Sequence, residues 1–396
     1  MKRISLVLIG GLLLSALLPG CEKQELNELV APNCMLPFAD SSLSNPKNNK
    51  YRHLLDLYTR KGLPGLVVLI RTPDEGLWIG SAGYARIEDK TPMRPCHILY
   101  SASVGKTYCA VATMRMQEQG LLSLDDPISK FLPPTIVKQL ANGNSLTVRH
   151  LISHTSGLPN FDYNPSFIAD FLNNPFGIST GDLIDYEFGK KELSSPGEEF
   201  HYSSTGYELL ALVLDGASGR HHSSYYTSEL FRPLRLNNTY YKQELGYPTP
   251  DGVVNGYFDR LGNGRLENIS DQNNYMTQIF TGSDGVMASA YDYMLFFEAV
   301  LKGKLLNDNS IQQMQTWTFV SEKSEGGYGL FRRKTNHGVK IGHSGRSVGA
   351  GIDVYYFPES DVTILTAVNL GTFLQTPLVS IYENELQDEL VEAVFK

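Results

Sequence analysis

The sequence is short of charge and of cysteine. Charged residues make up 19% of its 396 positions, and 34 Lys and Arg against 42 Asp and Glu leave a net charge of -8 with no long basic run. Such a chain offers nothing to a polyphosphate, which excludes nucleic acid as a partner. The four cysteines, Cys21, Cys34, Cys96 and Cys109, show no C-x-x-C spacing, so no zinc or other metal site is expected. No internal repeat is present. The longest apolar run near the start, residues 4–18, is about fifteen residues and short for a membrane-spanning helix. What the chain does have is 42% apolar and 11% aromatic residues, enough to bury one broad domain or two lobes.

Met1-Lys2-Arg3, the apolar run and then Pro19-Gly20-Cys21 follow the order of a secretory leader. Leu18-Pro19-Gly20-Cys21 resembles the bacterial lipobox, in which the cysteine is lipidated and becomes the first residue. The expectation is a signal peptide over 1–20, lipid on Cys21, and a protein held by that lipid to a bacterial envelope membrane, facing the periplasm or exterior. A plain leader or an uncleaved anchor is the alternative. Three cysteines then remain; one disulfide is possible in an oxidising envelope, but three small buried residues are the simpler expectation.

Residues 21–48 carry Pro32, Pro37, Pro46 and a serine-rich run without period, and read as a tether. Folding is expected from 49 onward. Tyr51, Leu54, Leu55 and Tyr58 recur at helical spacing, and 66–70 and 77–84 flank Thr72-Pro73-Asp74-Glu75-Gly76 as a hairpin. The middle is helical: 103–119, 147–154, 205–215 ending at Gly216, and 223–231. A helix follows Ser289, then strands at 351–357 and 362–370, then a closing amphipathic helix over 376–394. Strands at both ends with helices between predict an α+β fold: one antiparallel sheet built from both ends of the chain (about 49–98 and 280–396), N- and C-terminal helices flanking it, and an inserted helical lobe (about 99–279). The cleft between them is the natural ligand site.

A serine hydroxyl is a weak nucleophile and needs a neighbouring base, which a desolvated lysine can supply. Ser103-Val104-Gly105-Lys106 places the two on one helix face, near a helix start whose free N-H groups suit an oxyanion. Ser44-Asn45-Pro46-Lys47 has the same four-letter pattern, but Pro46 and the tether context disfavour a helix there. His201-Tyr202-Ser203-Ser204 leads into a helix, where a tyrosine can relay a proton. Gly342-His343-Ser344-Gly345 precedes the 351–357 strand and could line the cleft edge, with His343 a donor.

Together, Ser103-x-x-Lys106, Tyr202-Ser203-Ser204 and His343-Ser344-Gly345 resemble the three ordered motifs of the penicillin-recognising serine hydrolases, nearest to class C β-lactamases, D-alanyl-D-alanine carboxypeptidases and esterases of that fold. Leu121-Leu122-Ser123-Leu124-Asp125-Asp126-Pro127, Leu151-Ile152-Ser153-His154-Thr155-Ser156-Gly157-Leu158 and Gly282-Ser283-Asp284-Gly285-Val286 also look like this family, and the likeness runs from about Pro64 to Phe357. It implies a β-lactamase/transpeptidase-like fold without cofactor, acting on a small-molecule or peptide substrate. Ser103 would be the acylated nucleophile, Lys106 its base and Tyr202 the proton relay. Ser204, His343, Ser344, Gly345 and Arg346 would meet the substrate, with the backbone N-H groups of Ser103 and Arg346 as oxyanion hole.

Two positions depart from the pattern. Ser204 stands where the family usually has Asn, and cannot present donor and acceptor in one plane. His343 stands where many relatives have Lys, which weakens a fixed charge for a substrate carboxylate. Both lean away from an efficient β-lactamase, leaving peptidase, carboxypeptidase and esterase activities open; a catalytically silent penicillin- or peptide-binding module is the reading from another class. Gly345-Arg346-Ser347-Val348-Gly349 matches the α/β-hydrolase elbow, but no histidine follows it. His150 and His154 lack a third metal ligand and read as structural. Tyr225-Tyr226, Tyr240-Tyr241 and Tyr355-Tyr356 read as core, and Tyr382-Glu383-Asn384 as surface.

Overall fold

The computed structural model describes residues 34–37, 42–241 and 249–396. The expected leader and Cys21 lie outside the described residues.

The first helix, α1 (Asn48–Arg60), buries Tyr51, Leu54, Leu55 and Tyr58, the residues whose spacing marked it. The predicted hairpin forms as β1 (Gly65–Thr72) and β2 (Gly76–Arg86), followed by the short β3 (Thr91–Pro92). The chain returns to the same sheet in six strands: β4 (Thr318–Ser321), β5 (Ser324–Gly326), β6 (Phe331–Thr335), β7 (Gly338–Arg346), β8 (Gly351–Phe357) and β9 (Val362–Val368). Their spatial order is β3-β2-β1-β9-β8-β7-β6-β5-β4, antiparallel throughout, with β1 and β9 from opposite ends of the chain side by side.

Alternation along these strands divides two cores. Leu66, Val68 and Ile70 of β1, with Ile364 and Val368 of β9, face a cluster that includes Leu55, Tyr58, Leu386 and Leu390 from the terminal helices. Val67 and Leu69, with Ile352, Val354, Leu365 and Ala367, face the larger cluster under the central helices. Strands covered on both faces read as continuous apolar runs, which is why Leu66-Val67-Val68-Leu69-Ile70 shows no polar alternation.

The central helices include α2 (Gly105–Glu118), α3 (Ser204–Ser218) and α4 (Ala290–Leu301). The C-terminal helix, α5 (377–395), has a π-helical turn over Ile381–Leu386. A second small sheet pairs Val286–Ser289 with both Ile98–Tyr100 and Thr239–Tyr241. It joins the segment entering the Ala102–Val104 turn to the segment leaving the 282–285 loop. Among the described residues no helix is long and apolar enough to cross a membrane.

Several expectations are corrected. Cys34 and Cys96 form a disulfide, and only Cys109 is a free buried cysteine among the described residues. The pairing closes over 62 residues, a separation with no local signature. The end of the segment read as tether is fastened: Ser42 Oγ accepts from Ile79 N, and Lys47 pairs with Glu75 and donates to Val394 O. Lys47 is thereby committed away from Ser44. The helix beginning at Ser204 runs past Gly216 to Ser218. His343-Ser344-Gly345 lies inside β7 rather than before a strand, and the strands between 318 and 346 carried too little apolar alternation to be seen. Tyr382 is buried, donating to Asp353 Oδ2 at 2.8 Å, so Tyr382-Glu383-Asn384 is not simply surface.

Candidate active site

Ser103 lies in a single 3-10 turn, Ala102–Val104, between the Ile98–Tyr100 strand and α2. Ala102 is held at φ +44, a left-handed conformation costly for a residue with a Cβ and tolerated only where surrounding structure enforces it. That enforcement is visible on two sides. A Cβ at Gly105 would lie 2.5 Å from Asp284 O, and one at Gly345 would lie 2.3 Å from Ser101 O. The turn carrying Ser103 is therefore clamped between the 282–285 loop and β7 at backbone contact distance.

Lys106 is 1% exposed, and its Nζ reaches three oxygens: Ser103 Oγ at 3.3 Å, Ser204 Oγ at 3.2 Å and Ser283 O at 3.2 Å. Two of these are hydroxyls that can accept or donate, so the cluster can move a proton in either direction. The Ser283 carbonyl is aimed by Glu208, a buried carboxylate on α3. Glu208 accepts from the N-H groups of Thr281, Gly282 and Ser283 and from the hydroxyls of Thr281 and Ser283. Below the turn, burial pushes the Asp284 carboxyl up to about 6 while Ser101 Oγ and Gly285 N donate to it.

Tyr202 comes to the same site. It presents its ring face to Lys106, with Nζ 5.0 Å from the ring centroid, and packs on His154 at 4.5 Å between centroids. His154 Nδ1 accepts from Ser203 N at 3.1 Å, and burial followed by the Lys106 charge holds its pKa well below the ordinary value. It is a neutral support beneath the Tyr202-Ser203 corner, in keeping with the structural role read for it. His150 closes a capping box with Thr147.

His343 is buried, and Nδ1 lies 2.8 Å from Ser344 O. A carbonyl only accepts, so Nδ1 carries the proton and Nε2 is a bare acceptor. Burial and then the nearby Lys106 charge push its pKa down to about 3, which keeps the ring neutral at any ordinary pH. Nε2 has no hydrogen-bond partner among the described residues, and His343 lines a cavity of about 510 Å³ together with Ser103, Tyr202 and Arg333.

Ser344 and Arg346 line the cavity with Ser103, and their side-chain polar groups are bonded within the protein. The Ser344 hydroxyl, expected to meet substrate, turns inward to Asp353 Oδ1 at 2.6 Å and Tyr355 OH at 2.9 Å. The Arg346 guanidinium also turns in, bonding both Asp353 oxygens at 3.1 Å, Glu383, and the carbonyls of Gly345 and Ile352. Burial alone would raise the Asp353 pKa, but Arg346 and Ser344 hold it below the usual carboxylate range. Gly345 serves by its missing side chain.

Sequence reasoning missed Asp162 and Glu208. Asp162 Oδ2 accepts from Ser204 Oγ at 2.7 Å, extending the chain Ser103-Lys106-Ser204 by a carboxylate. Its only local sign is the Asn160-Phe161-Asp162 turn, in which Asn160 caps the one-turn helix Phe161–Tyr163. On the other side of Ser103 opens an apolar cavity of about 470 Å³, lined among others by Phe167, Phe171, Met276 and Phe280. The rings of Tyr163 and Phe373 stack at 6.2 Å beside the cleft. Asp215, His221 and His222 also approach one another. However, His222 is engaged through Nδ1 with Asp215 and through Nε2 with Tyr241, so this cluster is internally satisfied.

The β-lactamase family profile matches residues 48–379, and the chain belongs to that family of serine hydrolases, with its β-lactamase/transpeptidase-like fold. It is 30% identical to penicillin-binding protein 4* of Bacillus subtilis (strain 168) over 218 residues, 53% of this chain and 46% of that protein. It is 26% identical to protein flp of Staphylococcus aureus (strain N315) over 212 residues, 53% and 42% of the two chains. The chain spans about half the length of the curated relatives it matches. Among solved structures, D-amino acid amidase from Ochrobactrum anthropi SV3, complexed with L-phenylalanine amide, matches at TM-score 0.76 and 22% identity over 88% of this chain and 98% of that one. A D-stereospecific amidohydrolase from Streptomyces sp. matches at TM-score 0.71 and 23% identity over 84% and 97%. At these identities the structural likeness is one of fold.

Proposed function

We propose that the protein is an exported serine hydrolase that cleaves an amide or ester bond of a cell-wall peptide or related small substrate through an acyl-enzyme on Ser103. The observation that carries this is the buried Lys106 Nζ, set between the Ser103 and Ser204 hydroxyls at the floor of an open cleft. Ser103 Oγ attacks the substrate carbonyl, and its proton passes by way of Lys106 and Tyr202 to the leaving group as the carbonyl bond to that group breaks. Water then cleaves the acyl ester and restores the hydroxyl. The N-H groups of Ser103 and Arg346 act as oxyanion hole, and the strained Ala102 fixes the turn that presents the first of them. Relatives named as amidase, amidohydrolase and penicillin-binding protein support amide chemistry.

Export, with lipid on Cys21 and attachment to an envelope membrane, is supported by the leader pattern and by the Cys34–Cys96 disulfide, a bond that persists in oxidising compartments.

The test compares wild type with Ser103→Ala for labelling by a fluorophosphonate or a fluorescent penicillin. A p-nitrophenyl ester, nitrocefin and a D-Ala-D-Ala peptide are then assayed side by side. Label on wild type alone, with turnover, is the expected result; equal labelling of both removes Ser103, and stable label without product makes the protein a binding module. Lys106→Ala is expected to slow acylation by roughly 10²- to 10⁴-fold, and a rate near wild type refutes its role.

A further inference from the structure

The cleft holds two charged side chains of opposite sign that form no ion pair among the described residues. From them we infer that the substrate is a zwitterionic dipeptide, its ammonium group bound by Asp162, its carboxylate by Arg333, and an apolar first side chain seated in the cavity beside Ser103. The inference rests on the acyl-enzyme reading above.

Asp162 lines both cavities that meet at Ser103. The two side-chain bonds it accepts, from Ser204 Oγ at 2.7 Å and Asn160 Nδ2 at 3.2 Å, both go to Oδ2. Among the described residues it forms no ion pair. The cations nearby are otherwise engaged: Lys106 with Ser103, Ser204 and Ser283, and Arg260 with Glu267.

Arg333, on β6, lines the polar cavity with Ser103 and Asp162. Its guanidinium lies 5.6 Å from the Phe331 ring and 5.4 Å from the Tyr355 ring, and among the described residues it meets no carboxylate. The contrast with its neighbours is sharp. Arg332 is paired with Glu325, and Arg346 with Asp353 and Glu383. Among the described residues Arg333 is thus the guanidinium of this wall that lines the cleft without a carboxylate partner.

Desolvating either charge without a counter-charge is costly, so a ligand that fills the cleft must supply both signs. A monoanion or a simple ester supplies one at most. A dipeptide supplies an ammonium next to the attacked carbonyl and a carboxylate on the leaving side. Neutral His343 adds no second cation, which leaves carboxylate recognition to Arg333. Phe167, Phe171 and Phe280 in the apolar cavity fit an aromatic or large aliphatic first side chain. Chemically, Ser103 Oγ bonds to the first carbonyl carbon and the C-N bond breaks. The second residue leaves as an amine with the proton from Ser103, and water releases the first as a free amino acid.

The experiment measures kcat/KM for phenylalanyl-alanine in D,D and L,L forms, for its N-acetyl derivative, for its C-terminal amide and for the doubly blocked compound, with the full chain. Wild type is expected to prefer the free dipeptide over each singly blocked form by roughly ten-fold or more. Asp162→Asn should collapse the preference over the N-acetyl compound while keeping that over the amide, and Arg333→Gln should do the reverse; melting temperatures establish that both variants fold. Equal wild-type rates on free and blocked forms overturn the inference. So does failure to cleave any of them while a fluorophosphonate still labels Ser103, a result that leaves the acyl-enzyme reading standing. Absence of labelling removes both.

Discussion

The two walls of the cleft are built on opposite plans. On the nucleophile wall, Ser103, Lys106, Ser204 and Ser283 bond to one another, and Glu208 fixes the loop that carries Ser283 with five donors from three residues. On the strand wall, the groups that the motif would offer to substrate are turned inward. Ser344 and Arg346 serve Asp353, and among the described residues Arg333 lines the cleft without a carboxylate partner. On the reading proposed above, the bonded network of the first wall serves invariant chemistry, and the charges left unpaired, Asp162 beside that network and Arg333 on the strand wall, serve choice of substrate. Damage to the first should slow every substrate alike, whereas damage to the second should alter preference or pH response.

The largest break in this comparison is expected at Glu208. Replacing it with Ala strands buried donors from Thr281, Gly282 and Ser283 and frees the carbonyl that holds Lys106. Unfolding free energy should fall by roughly 3 kcal/mol or more in denaturant melts. kcat/KM should drop by a similar factor for ester and peptide substrates; a loss confined to one substrate class would contradict the division between walls.

An intermediate effect is expected at His343. Its folded pKa of about 3 lies below the ordinary value for histidine, so as pH falls from about 6.5 the unfolded chain takes up a proton that the folded protein refuses. This group therefore lowers stability progressively between those two values. The slope amounts to about 1.4 kcal/mol per pH unit at most. In His343→Gln that contribution disappears, and the stability difference between variant and wild type should shift toward the variant as pH drops from 7 to 4. A difference independent of pH would show that the ring is not held neutral.

The smallest effect is expected from Ser344→Ala. Asp353 keeps Arg346, Tyr382 and Gln387 as partners, so the loss should be about 1 kcal/mol of stability, with kcat/KM within about three-fold of wild type. A large rise in KM would restore Ser344 to the role its motif suggested.

Legibility in the sequence followed distance along the chain. Ser103 and Lys106 are one turn apart, the 65–86 hairpin is local, and the apolar period of α1 and α5 needs no partner to be read. Ser204 and Asp162 are separated by 42 positions, Glu208 and Thr281 by 73, and Cys34 and Cys96 by 62. No spacing rule joins such residues, because their meeting depends on how two sheets and the central helices assemble. The same holds for direction: β7 could be named as a motif, yet which way Ser344 and Arg346 point is decided by Asp353 on the adjacent strand. Tyr382 looked solvent-facing for the same reason, since its partner Thr366 lies in β9.

Asp353 gathers its partners from β7 and from α5, among them Tyr382 and Gln387 near the end of the chain. During synthesis the bonded side chains of the first wall, Ser103 to Ser283, leave the ribosome before these residues do, and the clamp that Gly345 of β7 sets on the Ser103 turn comes later. β7, whose Ser344 and Arg346 bond to Asp353, is finished only when they arrive. The stretch that finishes the site is thus made after the one that carries Ser103, and a protein cut short before α5 would hold Ser103 beside an unfinished wall.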